Sequence, residues 1–140
     1  MEKKEAKTIR GQAGVEYMII IAFVTFAVMS ILVMAYFYSD KIGDGIKLNQ
    51  VESFATQLTN SAESIFYSGE PSKITLRLYI PAGVKSIEIN SDYLIIITTT
   101  SSGDNKRVFE SRVPLQGEIS VSEGIKKLTL EAKEDYVLIS

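Results

Sequence analysis

The chain has 140 residues, a formal net charge of −2, and neither cysteine nor histidine. Disulfide scaffolds, thiol chemistry, imidazole triads and most structural zinc or transition-metal sites are thereby excluded, so neither an enzyme, a cofactor nor a bound metal is expected. Residues 1–11 hold four basic and two acidic side chains, which leaves eleven basic and fifteen acidic beyond them; so small a basic head is no footprint for nucleic acid.

That head, MEKKEAKTIRG, is followed after six residues by an apolar run over 18–38, MIIIAFVTFAVMSILVMAYFY. Twenty-one helical residues at about 1.5 Å each span roughly 30 Å, the thickness of one bilayer core. Its polar members before the closing tyrosines, Thr25 and Ser30, carry hydroxyls that bond back to the preceding helical turn. A chain of this size cannot surround such a helix on all sides, so the segment is expected to enter a membrane, with the basic head held on the cytoplasmic side. Val33-Met34-Ala35 also has the small-x-small form of a secretory cleavage site, although the run before it exceeds the usual signal core of about 7–15 residues. Gly11 and Gly14 lie outside the run, which shows no small-xxx-small dimerisation face. Glu16 stands at its threshold, where a carboxylate is costly and calls for a partner or a role.

The stretch Gly11-Gln12-Ala13-Gly14-Val15-Glu16-Tyr17, between basic residues and an unbroken apolar run, resembles the class III signal peptide of archaeal type IV pilin-like proteins, whose motif is Gln-x-Ser-x-Glu-Tyr. Gly14 stands where that family usually has serine. The resemblance covers about the first forty residues and implies cleavage between Gly11 and Gln12 by a membrane prepilin peptidase, with the apolar segment kept on the mature protein. Gly11 suits this, because a residue without Cβ enters a peptidase cleft without side-chain clash. The cut implies loss of the basic leader and a new ammonium group at Gln12, four residues from Glu16. The resemblance further implies that Gln12, Glu16 and Tyr17 act in assembly, Glu16 registering each incoming subunit against its neighbour. The alternative for Glu16 is a headgroup-facing carboxylate near the positive end of the helix dipole.

Beyond the run, Gly43-Asp44-Gly45 predicts a kink or solvated hinge. Helical periodicity then resumes, with Val51, Phe54, Ala55, Leu58, Ala62 and Ile65 at three- and four-residue steps, to an end near Phe66 before Ser68-Gly69-Glu70-Pro71. From Ile74 the period changes to two. ITLRLYI, KSIEIN, YLIIITTT, RVFESRV, EISV, KLTLEA and YVLI read as seven short strands, with a turn at Ser101-Ser102-Gly103-Asp104-Asn105. Glu131, Glu134 and Asp135 cluster near one turn and read as solvated, while Tyr79, Tyr93, Phe109 and Tyr136 read as core aromatics, the alternative being a sticky surface. Asn49, Asn60, Asn90 and Asn105 all fail the N-glycosylation pattern.

The expected fold is α+β: a long, partly transmembrane N-terminal helix, then a small antiparallel β-sandwich or open barrel, type IV pilin-like in its resemblance. The expected layout is a cleaved leader (1–11), a long helix (12–67) with an apolar part (18–38) and an amphipathic part (46–66), a linker (68–73) and a β head (74–140). The resemblance implies a structural pilin whose partners are further copies of itself, the prepilin peptidase, the membrane assembly machinery and, before assembly, lipid. The mature chain would then reside in an extracellular, adhesive filament. A monomeric bitopic membrane protein with an external β binding domain, and a soluble β domain released after Ala35, are the alternatives.

Overall fold

The structure, a computed structural model, describes residues 2–140, with side chains described from Gly14 onward. The leader and the expected cut at Gly11 and Gln12 lie outside the residues whose side chains are described. The chain divides into two units, Met1–Lys41 and Ile42–Ser140. Among the described residues one helix, α1 (Glu2–Ser68), is followed by seven strands, an apolar N-terminal helix ahead of small, largely antiparallel sheets.

Within the second unit the helix buries one face, formed by Val51, Phe54, Ala55, Leu58, Ala62 and Ile65. These positions recur at helical spacing, so they line one stripe. Gly69 ends the helix with φ +78° and donates its N–H to the Phe66 carbonyl at 3.1 Å. Glycine takes this left-handed conformation without a Cβ penalty. Expectation and structure part at Gly43-Asp44-Gly45, which is regular helix with no positive φ. A carboxylate contact explains the regularity: Asp44 Oδ2 accepts from the Ser101 backbone N–H at 2.8 Å and from Ser101 Oγ at 2.5 Å, pinning this turn of helix to the head.

Two sheets complete the unit. One has the order β1 (Lys73–Ile80), β6 (Gly124–Ala132), β7 (Val137–Ile139), β5 (Leu115–Gly117); the other has the order β2 (Val84–Asn90), β3 (Tyr93–Thr100), β4 (Gly103–Glu110). Their inner faces and the helix stripe enclose one apolar core, in which Leu58, Ile80, Leu94, Ile96, Leu115 and Leu130 are almost wholly buried. Burying one such side chain contributes about 1.5–3 kcal/mol. The helix is tied to the second sheet by Arg107 Nη1 donating to Glu52 at 2.9 Å, and to the chain just after β4 by Arg112 Nη1 donating to Glu63 at 3.3 Å.

Four strand-level expectations are corrected. β4 starts at Gly103 and ends at Glu110, because the hairpin closes over Ser101 and Ser102 alone, with Thr100 opposite Gly103. The following residues leave the ladder to bond the β2–β3 turn, Ser111 N–H to Asp92 O and Leu115 N–H to Ser91 O. EISV (118–121) forms no strand; its apolar alternation comes from Ile119 plugging the core from a loop. The sheets are not wholly antiparallel, since β5 pairs with β7 in parallel. The strand tyrosines are also not the core, Tyr79 and Tyr93 being 44% and 39% exposed and Tyr136 half-buried, whereas Phe109 packs partly buried against it.

Candidate functional site

The apolar part of α1 is the most unusual surface of the molecule. The helix from Gly14 contains a window of mean hydropathy 2.8, none of it buried. Eighteen large apolar side chains between Val15 and Tyr38 are 47–74% exposed, and they are spread around the whole circumference. At about 1.5–3 kcal/mol for each side chain moved out of water, their joint burial is worth on the order of 30 kcal/mol. That exceeds the whole stability of a typical domain, about 5–15 kcal/mol, so water is not the medium this surface is built for. The helix is long and apolar enough to cross a membrane, which is compatible with anchoring. Ser30 removes one remaining polar obstacle by donating Oγ to the Phe26 carbonyl at 2.8 Å.

Glu16 and Tyr17 are exposed at the start of this surface. Among the described residues Glu16 makes no ion pair. Position 12 lies one helical turn before it, at the i,i+4 spacing that lets charges pair along a helix. A Cβ at Gly14 would meet nothing within 4 Å, so neither space nor backbone conformation demands glycine there.

Three carboxylates of the second unit are held in contacts that stabilise their charged form. Ser101, through its hydroxyl and then its backbone N–H, holds the Asp44 carboxyl below its ordinary value. Lys85 does the same to Asp104 by a 2.7 Å hydrogen bond. Glu131, bonded by Lys133 at 2.5 Å, is also lowered and raises the Lys133 ammonium in return. Glu131 is thus the centre of an ion-pair cluster that also takes in Lys73 at 3.7 Å. Each shift stabilises the charged form, the opposite of what a carboxylate working as a general acid requires. Among the described residues no three acidic side chains are placed to hold a metal ion.

Two features escaped the sequence reading. One is the Asp44–Ser101 contact, which joins residues 57 positions apart. The other is a groove of ≈ 420 Å³ between α1 and β1, lined on the helix side by Asn49, Ser53 and Gln57 together with the apolar Ile46 and Phe54, and on the strand side by Arg77, Leu78 and Tyr79. Polar residues at helical spacing signalled an exposed face, but nothing in the chain told which strand would lie beside it. No family model matches the chain, and neither the curated proteins nor the solved structures contain a significant match.

Proposed function

We propose that the chain is a structural pilin subunit, made as a membrane-anchored precursor, trimmed between Gly11 and Gln12, and polymerised through its apolar helix into an extracellular type IV-like filament. The observation that carries this reading is a helix apolar around its whole circumference for one bilayer's length, with a carboxylate at its threshold. A bilayer covers such a surface in the precursor. A bundle of identical helices covers it in the polymer, where each helix meets neighbours on every side.

The trimming step has a physical rationale. The leader carries a net charge of +2, and basic residues resist transfer across the membrane. Hydrolysis of the Gly11–Gln12 amide removes that charge and leaves an ammonium group at Gln12. A carboxylate deep in lipid costs about 2.5–3.5 kcal/mol on insertion scales; the Gln12 ammonium of the same or an adjacent chain offsets part of that cost for Glu16. A helix that seats correctly is then one whose Glu16 meets an ammonium, and this registers the subunits. Tyr17, with an apolar ring and a polar tip, suits the adjoining interfacial depth.

The length of the apolar run fits a permanent bitopic anchor equally well, so that reading stands second. The two differ in what shearing releases. The pilin reading expects filaments containing this chain in the sheared fraction of cells, and expects Glu16→Ala to be trimmed yet to assemble poorly. Chain that stays wholly in the membrane fraction contradicts it.

A further inference from the structure

We propose that residues 121–123 of one copy add as a short antiparallel strand to the open edge of β1 in the next copy, Val121 opposite Tyr79 and Glu123 opposite Arg77. The inference rests on the polymer reading and specifies a contact between heads within it.

The receiving side is a sheet edge. β1 is the outermost strand of its sheet and pairs only with β6, so its other side presents unpaired N–H and C=O groups. Arg77, Leu78 and Tyr79 are consecutive, yet all three line the groove. Side chains alternate between faces along a strand, so three consecutive lining residues mean that the strand's edge forms the wall. Such an edge takes an extended segment by main-chain hydrogen bonding.

Charge selects the segment. Arg77 lies directly opposite Lys127 in the β1–β6 ladder, and neither makes an ion pair among the described residues. Like charges directly opposite one another are destabilising, so this pair lacks an acid. Next to it on the same face, Tyr79 lies opposite Ile125, and the two are 44% and 72% exposed. The edge therefore presents a cationic position and, two residues on, an apolar one.

Residues 118–123, EISVSE, supply the complement. They carry two carboxylates and no base, and they alternate as a strand does. Yet they form none, and no backbone hydrogen bond ties them to a neighbouring loop or strand. Ile119 is anchored in the core, and the exposed Ser122 hydroxyl accepts from Lys126 Nζ and lies 3.3 Å from Ser120 Oγ; Val121 and Glu123 are exposed, with no side-chain hydrogen bond or ion pair among the described residues. Set antiparallel to β1 on the side away from β6, Val121 meets Tyr79 and Glu123 meets Arg77. Ser122 then turns toward the opposite face, where Asn49, Ser53 and Gln57 line the groove. Donor and acceptor are neighbouring segments at one corner of the head, since Glu123 precedes Gly124, which lies opposite Ile80 at the end of β1.

The absence of native cysteine makes the test clean. Full-length Tyr79→Cys and Val121→Cys chains are co-expressed, and sheared filaments and membranes are each treated with a short bismaleimide. The expected result is a covalent dimer from the mixture and none from either variant alone. Arg77→Glu in the Tyr79→Cys chain is expected to reduce the dimer several-fold, and Glu123→Arg in the Val121→Cys chain to restore it. Filaments that yield no mixed dimer overturn the contact, as does a dimer from one variant alone. If wild-type chain makes no filaments, the polymer reading falls by itself. The membrane fraction then decides the contact, a mixed dimer retaining it and none overturning it.

Discussion

Replacing Gly117 by alanine places a methyl group where the backbone of β7 already stands. A Cβ at this position would lie 2.0 Å from the Ile139 carbonyl oxygen and 2.9 Å from its carbon. A carbon and a carbonyl oxygen approach no closer than about 3.3 Å in ordinary contact, so β5 must withdraw by about 1 Å. Gly117 also has φ +132°, in a region that costs a residue with a side chain about 1–3 kcal/mol. Withdrawal breaks the β5–β7 ladder, in which Gly117 pairs with Ile139, and each hydrogen bond lost there costs about 0.5–1.5 kcal/mol net. Together these give a destabilisation of about 3–4 kcal/mol, a large share of a typical domain's about 5–15 kcal/mol. The matched control is Gly43→Ala, where a Cβ meets nothing within 4 Å and the backbone is helical. There the expected change is a gain of about 0.5–1 kcal/mol. Urea unfolding of the full chain in detergent micelles, followed by near-ultraviolet circular dichroism of its tyrosines, measures both. If Gly117→Ala unfolds within about 0.5 kcal/mol of wild type, a typical neutral surface value, the parallel pairing of β5 with β7 is wrong.

Other outcomes follow from the same geometry. Leu58 is wholly buried between helix and sheets, so Leu58→Ala is expected to cost about 2–5 kcal/mol in the same unfolding assay. Asp44, Asp104 and Glu131 have lowered folded-state pKa values; their contribution to stability is therefore present above their ordinary values of 3.8, 3.8 and 4.5 and is lost as pH falls through the lower folded values. Asp44→Asn should accordingly lower the urea midpoint at pH 7 and converge on wild type in strong acid, whereas an unchanged gap across that range would mean that the carboxylate's charge is irrelevant. Gly14→Ser, into open space, is expected to leave trimming and assembly intact; a block at either step would assign Gly14 a role that its surroundings do not suggest.

The elements legible in the chain were those set by short-range periodicity. Residues 18–38 could be read because hydropathy needs no knowledge of neighbours, β1 and β6 because their alternation matches one buried face, and β3 because it is a short apolar run rich in β-branched residues. EISV misled for a physical reason: Ile119 and Val121 alternate as in a strand, but Gly117 turns the chain out of the ladder and Ile119 is buried from a loop. Gly43 and Gly45 misled in the opposite direction. Their intrinsic cost in a helix is about 1 kcal/mol each, yet the bond from Asp44 to Ser101 holds the turn, and a partner 57 residues away leaves no local signal. The groove beside β1 was illegible for the same reason, since it exists only once α1 is laid beside a strand edge. Glu16 was legible as a charge out of place, because a carboxylate beside a bilayer-length apolar run is conspicuous without any structure.

The central claim is that the mature chain begins with an ammonium group one helical turn before Glu16. Intact-mass measurement of the protein taken from the cell surface tests it directly. The account expects a mass lacking residues 1–11 and beginning at Gln12. A mass that retains the leader from Met1, or one that begins at Tyr36, contradicts it.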